Sequence, residues 1–419
     1  MLQFPSPTKE LDLAISLQLR RLVAESAFYA GKFRHLTSSQ PMLSQSLRRL
    51  PTMTIHEIRE NQANNPPLGT HSSVRSNEVS LIFASSGTTA PPHNVGVTAS
   101  DWEGWVSVAA RSFSIAGIKS GDVVLDALSF GMFAGGIPIV EALRQLGATI
   151  APTGPIAPRR LVDIARAINA NIILCTPSYL VGLMEQVDSS KFSVATLRCI
   201  LLGTEPGGSI PQLRTIFEQY CGVPVKEALG NADLLPVYGA TCGRSRGNHL
   251  SASDELILEI VEPDSGDVMP WVEGVEGELV ATHLKRECTP VVRLRTGDLV
   301  QAFITPCPCG LRSPRLVCIG RIEDAAIASG RRVMPSEVQE LLATFYPELT
   351  LTFEIDGSAD AGALRLWAEF GLDALDIEHL KHRLVHAFNE RFMVPVEVNL
   401  LPPNSLPRYN MKSQHKARR

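Results

Sequence analysis

Between Val123 and Ala228 short apolar runs alternate with amphipathic stretches, and this alternation constrains the fold more than any other feature of the chain. Val123 to Leu125, Thr149 to Ala151, Ala170 to Cys175 and Val225 to Ala228 read as strands. Ile137 to Leu146, Leu161 to Ile168 and Ile210 to Tyr220 read as helices between them. Strands linked by helices need both sheet faces covered, which predicts a largely parallel α/β sheet. Just upstream, Leu81 to Ala84 reads as another buried strand, running into Ser85-Ser86-Gly87-Thr88-Thr89. Four hydroxyls, and a glycine that lets backbone N–H groups approach a ligand, suit a polyphosphate, although the lysine of a G-x-x-x-x-G-K-[ST] loop is absent. The competing reading is a Ser/Thr-rich surface turn.

The flanking segments have different periods. Residues 8–60 read as helical, followed by a polar connector from Asn61 to Ser76. Beyond Glu255, L-I-L-E-I-V-E, G-E-L-V-A-T-H and P-V-V-R-L-R-T-G-D-L-V read as antiparallel strands, with a hairpin turn at Glu262 to Asp267. A second domain is expected near Ile319-Gly320-Arg321, with a helix at Pro335 to Phe345, strands at Leu349 to Ile355 and Ala363 to Phe370, a helix at Ile377 to Phe392 and a strand at Val394 to Leu400. The expected architecture is thus α/β: a large domain over 1–319 with sheet layers plus β-structure, and a small α+β domain over 320–419.

Composition excludes some classes. With 419 residues, 44% of them hydrophobic, two domains with large cores are expected. A net charge of −4 leaves no electrostatic footprint for nucleic acid or an anionic membrane. Neither a secretory signal nor an eighteen-residue apolar run is visible, so a cytoplasmic protein is expected. Of the eight cysteines, Cys175, Cys199, Cys288 and Cys318 lie in or after apolar runs and read as small buried hydrophobes. Cys242 and His249 are spaced C-x6-H, and Cys307 and Cys309 C-x-C, which is no ordinary zinc-finger spacing. Two loops would still each present two ligands, and three thiolates with one imidazole satisfy a closed, structural tetrahedral zinc site. The alternative is a loop cysteine beside a tight C-P-C-G turn with free thiols.

Ten motifs in order carry a resemblance: F-Y-A-G-K-F from Phe28, L-P-T-M-T from Leu50, S-S-G-T-T from Ser85, F-G-M-F-A-G-G from Phe130 and T-P-S-Y from Thr176; then G-T-E-P from Gly203, R-L-R-T-G-D-L from Arg293, C-P-C-G from Cys307, G-R-I-E-D from Gly320 and L-P-R-Y-N-M-K from Leu406. Over nearly its whole length the chain resembles the phenylacetate–coenzyme A ligase type of the adenylate-forming superfamily. The resemblance implies that a carboxylate attacks the α-phosphate of ATP to give an acyl-adenylate and pyrophosphate. The small domain then rotates, and a thiol, usually that of coenzyme A, takes the acyl group.

Residue by residue, it implies that Asp298 accepts the ribose hydroxyls and that Ser85, Ser86, Gly87, Thr88 and Thr89 face the phosphates. It places Gly203, Thr204 and Glu205 on the adenine side, with Arg321 near the ribose and Glu323 at the hinge. Lys412 would reach the carboxylate and the α-phosphate, with Lys416 as its rival. Phe133, Ala134, Gly135 and Tyr179 fall where the acyl pocket would be, unless the two rings are plain core aromatics. No basic residue stands out in these segments, which favours an apolar or aromatic acid. Several relatives carry a similar cysteine–histidine zinc site, which supports Cys242, His249, Cys307 and Cys309 as ligands.

The chain departs from the pattern Y-G-x-[ST]-E, reading Leu229-Gly230-Asn231-Ala232-Asp233. Leu229 covers adenine without stacking, Ala232 offers no hydroxyl, and Asp233 keeps an oxygen ligand for Mg2+ on a shorter arm. Ala90 stands where glycine is usual. The expected function is ATP-dependent activation of a carboxylic acid and transfer to coenzyme A. The rivals are transfer to a carrier protein or an amine, or nucleotide binding without ligase activity. A homodimer is a further expectation.

Overall fold

The computed structural model describes residues 3–34, 44–85, 92–357 and 362–408. The chain forms two compact units, one of residues 3–121, 129–150 and 228–317, the other of 122–128, 151–227 and 318–408. Ser86, Gly87, Thr88, Thr89, Ala90, Lys412 and Lys416 lie outside the described residues. Among the described residues, no helix is long and apolar enough to cross a membrane.

In the first unit the N-terminal helical stretch is broken, not continuous. Ser26 adopts extended dihedrals between the helices Lys9–Glu25 and Ala27–Lys32, and its hydroxyl accepts the Tyr29 amide. Serine competes for backbone groups in this way, so it ends one helix and caps the next. A short strand, Met53–Thr54, then pairs in parallel with Leu294–Arg295. The helix Ile55–Asn64 starts with a capping box between Thr54 and Glu57.

The strand Leu81–Ala84 corrects the sequence reading. It is not a fully buried strand: Ile82 is 38% exposed, and among the described residues the strand pairs antiparallel with Asn94–Val97, with one isolated bridge from Ala84 to Phe133. Phe83 alone is buried, against Trp105 and Trp102, and Trp105 in turn lies under the buried Arg286 guanidinium. Ala84 donates to the Met132 carbonyl at 2.8 Å, which brings the F-G-M-F-A-G-G segment beside the end of this strand.

The helix Ala99–Ile115 packs against the fully buried strand Leu235–Ala240. The antiparallel strands Leu256–Val261, Glu276–His283 and Leu294–Phe303 pair in order. Glu262 and Asp267 close the expected hairpin, the Glu262 amide donating to the Asp267 carbonyl.

In the second unit Val123–Asp126, Ile172–Cys175 and the start of Val225–Asn231 lie in a parallel sheet as expected, and Cys199–Leu202, which was not among the expected strands, lies between the last two. The helices Pro158–Ala167, Pro177–Gln186 and Pro211–Cys221 each begin on proline, where the missing N–H costs nothing. The C-terminal part pairs Leu349–Asp356 antiparallel with Leu364–Phe370, which runs parallel to Val396–Leu401. The parallel connection needs a crossover, supplied by Ile377–Phe392, whose Leu380, Leu384 and Phe388 enter the local core. Leu351 and Ala343 also pack into the core around Ile173 and Leu202. Glu185 accepts hydrogen bonds from Arg408 (2.7 Å) and Thr352 (3.2 Å).

Asp126 ends its strand fully buried. One oxygen accepts the Leu128 amide at 2.9 Å, the other has no hydrogen-bond partner among the described residues, and burial raises the carboxyl to about 7. The folded value lies above the unfolded one, so the stability this group contributes is complete below about pH 4 and lost as pH rises through 7. Asp126→Asn keeps an acceptor for Leu128. It is expected to match the parent in urea denaturation at pH 4 and to exceed it at pH 8 by up to about 4 kcal/mol. Equal differences at both pH values would contradict this account.

Candidate active site and metal centre

Two β-bulges mount the carboxylates of the first unit. Along Leu294–Phe303 burial alternates, which turns Asp298 inward with Leu294, Thr296 and Val300. Opposite it the register shifts between Glu278 and Val280, whose partners are Leu299 and Arg295. The extra residues include Gly297 at φ 74°, a conformation glycine adopts without strain. Glu278 accepts the Gly297 amide, and Thr296 accepts the Asp298 amide at 3.1 Å. Asp298 is only 9% exposed and needs a polar partner, and the Asn231 amide donates to it at 2.8 Å.

The second bulge lies between Leu229 and Asn231, whose partners are Gly239 and Leu235. A Cβ at Gly230 would lie 1.8 Å from the Pro236 carbonyl oxygen, so this position requires glycine. Leu229 is buried in the strand. Asn231 also accepts the Asp233 amide at 2.9 Å, so one side chain ties both acidic residues together. Asp233 in turn accepts from His93 at 2.5 Å, and the other ring nitrogen of His93 meets the Ser85 hydroxyl at 3.1 Å. Phe133, Ala134 and Gly135 follow the bridge from Ala84 to Phe133, and a Cβ at Gly135 would strike the Phe133 ring.

Two neighbouring histidines are held neutral. Burial, then His93, lowers His71 to about 4; burial, then Arg286, lowers His283 to about 4. His283 donates to the Leu234 carbonyl and accepts the Val291 amide, which fixes its tautomer.

In the second unit, Glu227 is buried and accepts the amides of Gly207 and Ser209 and the Ser209 hydroxyl, which anchors the loop of Gly203, Thr204 and Glu205. Glu205 accepts the Ser178 amide at the start of the helix Pro177–Gln186. Thr204 is held at φ 76°, unusual for a β-branched residue, and its buried hydroxyl oxygen has no hydrogen-bond partner among the described residues. Tyr179 is buried and donates to the Ile156 carbonyl at 2.6 Å. Arg321 lies 3.7 Å from Glu323.

The cysteine–histidine cluster is brought together within the first unit. The ligand atoms of Cys242, His249, Cys307 and Cys309 all lie within 4.8 Å of one another. His249 sits on the strand Asn248–Leu250, between Leu235–Ala240 and Arg315–Arg321. Arg315 donates to the carbonyls of Arg246 and Thr305, which ties together the two ligand-bearing loops. The Cys242 and Cys307 sulfurs are 3.5 Å apart, and the Cys309 sulfur is 3.3 Å from His249 Nε2. A tetrahedron with zinc–sulfur bonds of about 2.3 Å has edges of about 3.8 Å, within the range these donors span. His249 Nδ1 faces the Ser313 carbonyl at 3.2 Å, which directs the Nε2 lone pair toward the cluster. Burial opposes ionisation of Cys307, but hydrogen bonds from Ser245 and the Cys309 amide bring it down to about 6. Burial and then the neighbouring sulfurs raise Cys309 to about 11.

No sequence motif marks His93 or Ser313. Each touches a residue far along the chain, His93 meeting Asp233 across 140 positions, so no local pattern marks it.

No protein-family model matches the chain. Among solved structures, 2-hydroxyisobutyryl-CoA ligase, in the postadenylation state with 2-HIB-AMP, superposes with a TM-score of 0.87 at 25% identity, covering 97% of this chain and 88% of that one. This fold is the fold of adenylate-forming coenzyme A ligases. The phenylacetate–coenzyme A ligase of Thermus thermophilus is 31% identical over 93% of this chain and 88% of its own length. That of Escherichia coli is 28% identical over 94% and 88%. The chain belongs to the phenylacetate–coenzyme A ligase family of AMP-forming acid–thiol ligases.

Proposed function

We propose that this chain activates an apolar or aromatic carboxylic acid with ATP and transfers the acyl group to the thiol of coenzyme A. The observation that carries the reading is the pair of carboxylates, Asp298 and Asp233, tied together through Asn231 at two bulges. Asp298 would accept the ribose hydroxyls as charge-assisted hydrogen bonds. Asp233 supplies a hard oxygen ligand suited to Mg2+, which would neutralise phosphate charge. A carboxylate oxygen then bonds to the α-phosphorus and pyrophosphate leaves. Next the coenzyme A sulfur bonds to the acyl carbon, AMP leaves, and the thiol proton passes to solvent. Both reactants are anions, so the site must orient them and supply positive charge. Lys412 is the proposed source of that charge, carried on a small mobile domain over 320–419. Lys412→Ala is expected to lower adenylation by at least about 100-fold, the scale of losing one positioned charge. An unchanged rate would move the role to Lys416.

Cys242, His249, Cys307 and Cys309 are proposed to hold a closed structural zinc ion, since their spacing and the His249–Ser313 contact fit such a site. The functional test is pyrophosphate release with a panel of aryl and short acyl acids, followed by offering coenzyme A, a carrier protein or hydroxylamine to the preformed adenylate. Thioester with coenzyme A is expected. Transfer only to a carrier or to hydroxylamine would reassign the acceptor, and no release with any acid would favour a nucleotide-binding protein without ligase activity.

A further inference from the structure

His93 is assigned no role by the family motifs, yet the structure puts it between two segments far apart in the chain. It is buried beside the end of the strand Leu81–Ala84 and reaches across to the turn after Val225–Asn231. Its backbone N–H donates to the Ser85 hydroxyl at 3.1 Å, and its carbonyl accepts the Ser85 amide at 2.9 Å. The Ser85 oxygen, already accepting that N–H, is placed to donate its own proton to Nδ1 at 3.1 Å. Nε2 then carries the hydrogen, and it donates to Asp233 at 2.5 Å.

The line Ser85–His93–Asp233 has the order of a nucleophile, base and orienting acid. Its ring nitrogens are used the opposite way round from the familiar triad, where the acid meets Nδ1 and the serine Nε2. The serine oxygen is also engaged by a backbone amide. Ser85 thus holds the ring of His93, and the ring holds the Asp233 carboxylate.

We propose that His93 is a positioning residue that sets the orientation of Asp233 toward the magnesium ion accompanying ATP. This rests on the reading that Asp233 faces that cation. An aspartate reaches less far than a glutamate, so the angle of its carboxylate decides whether an oxygen meets the ion at about 2.1 Å. One oxygen is held by a buried ring that is itself held by Ser85, while Asn231 accepts the Asp233 amide. Both the carboxylate and the backbone of Asp233 are therefore positioned. Groups that hydrogen-bond to metal-ligating carboxylates typically change metal affinity 10–100-fold when removed.

The test is calorimetric binding of ATP with and without Mg2+, in the absence of any acid, so that no turnover occurs. His93→Ala is expected to weaken magnesium-dependent ATP binding by about 10-fold or more, while binding without magnesium changes less than about 2-fold. His93→Gln, whose amide can still donate to Asp233, is expected to recover most of the loss. It also carries the test if the alanine variant does not fold. In an Asp233→Asn background, His93→Ala should have little further effect, since coupled residues are not additive. If both His93 variants bind MgATP as the parent does, the positioning role is wrong while the assignment of Asp233 stands. If the parent itself binds ATP equally with and without magnesium, the reading of Asp233 fails and the role of His93 with it.

Discussion

Asp298→Ala is expected to lower kcat/KM for ATP by about two to three decades while reducing the melting temperature by only a few degrees. Each hydrogen bond to a charged acceptor is worth about 1.5–3 kcal/mol, and a ribose offers two. Their loss falls on binding common to ground and transition states, so KM should carry most of the effect. The stability cost is smaller, because the alanine mainly removes the partner of the Asn231 amide, half-buried in the wild type. Pyrophosphate release at varied ATP, with calorimetric ATP binding as a second readout, measures it. A loss below about 5-fold would remove Asp298 from the ribose.

The second large effect concerns the cysteine–histidine cluster. Protein purified without chelator is expected to hold one zinc per chain, and Cys307→Ser should abolish that stoichiometry and lower the melting temperature by about 10 °C or more. Structural zinc contributes its binding energy to folding, about 10–16 kcal/mol in small metal-dependent domains, and this unit keeps its own large core besides. The strand that carries His249 is held between two neighbours, so the metal would add chiefly by joining the loops at 241–247 and 304–314. Elemental analysis and thermal unfolding, before and after exhaustive chelation, decide it. Less than half a zinc per chain, with unchanged stability of the variant, would leave the four residues as free donors.

Much of the fold was legible because it is local. Apolar spacing marks the helix Ile377–Phe392, and apolar runs mark the parallel strands Val123–Asp126 and Ile172–Cys175 and the start of Val225–Asn231, but they do not single out Cys199–Leu202. The site was legible only as far as short motifs extend. The helices Ala99–Ile115 and Pro177–Gln186 do not stand out in the sequence, both being mostly apolar and without a clear polar face. The apolar run Leu81–Ala84 reads as a buried strand, but such a run does not reveal how many neighbours a strand has. The two bulges leave little trace beyond Gly230 and Gly297, and their effect arises from the opposing strands. His93 is invisible for the same reason: a single histidine after two prolines acquires meaning only when Asp233 arrives beside it.

Adenylate formation is tested most directly by carboxylate-dependent exchange of labelled pyrophosphate into ATP by folded protein purified without chelator. The account predicts exchange with at least one aryl or apolar acid, abolished by omitting magnesium, with thioester and AMP appearing once coenzyme A is added. No exchange with any acid of a broad panel, by protein that binds MgATP, would contradict it.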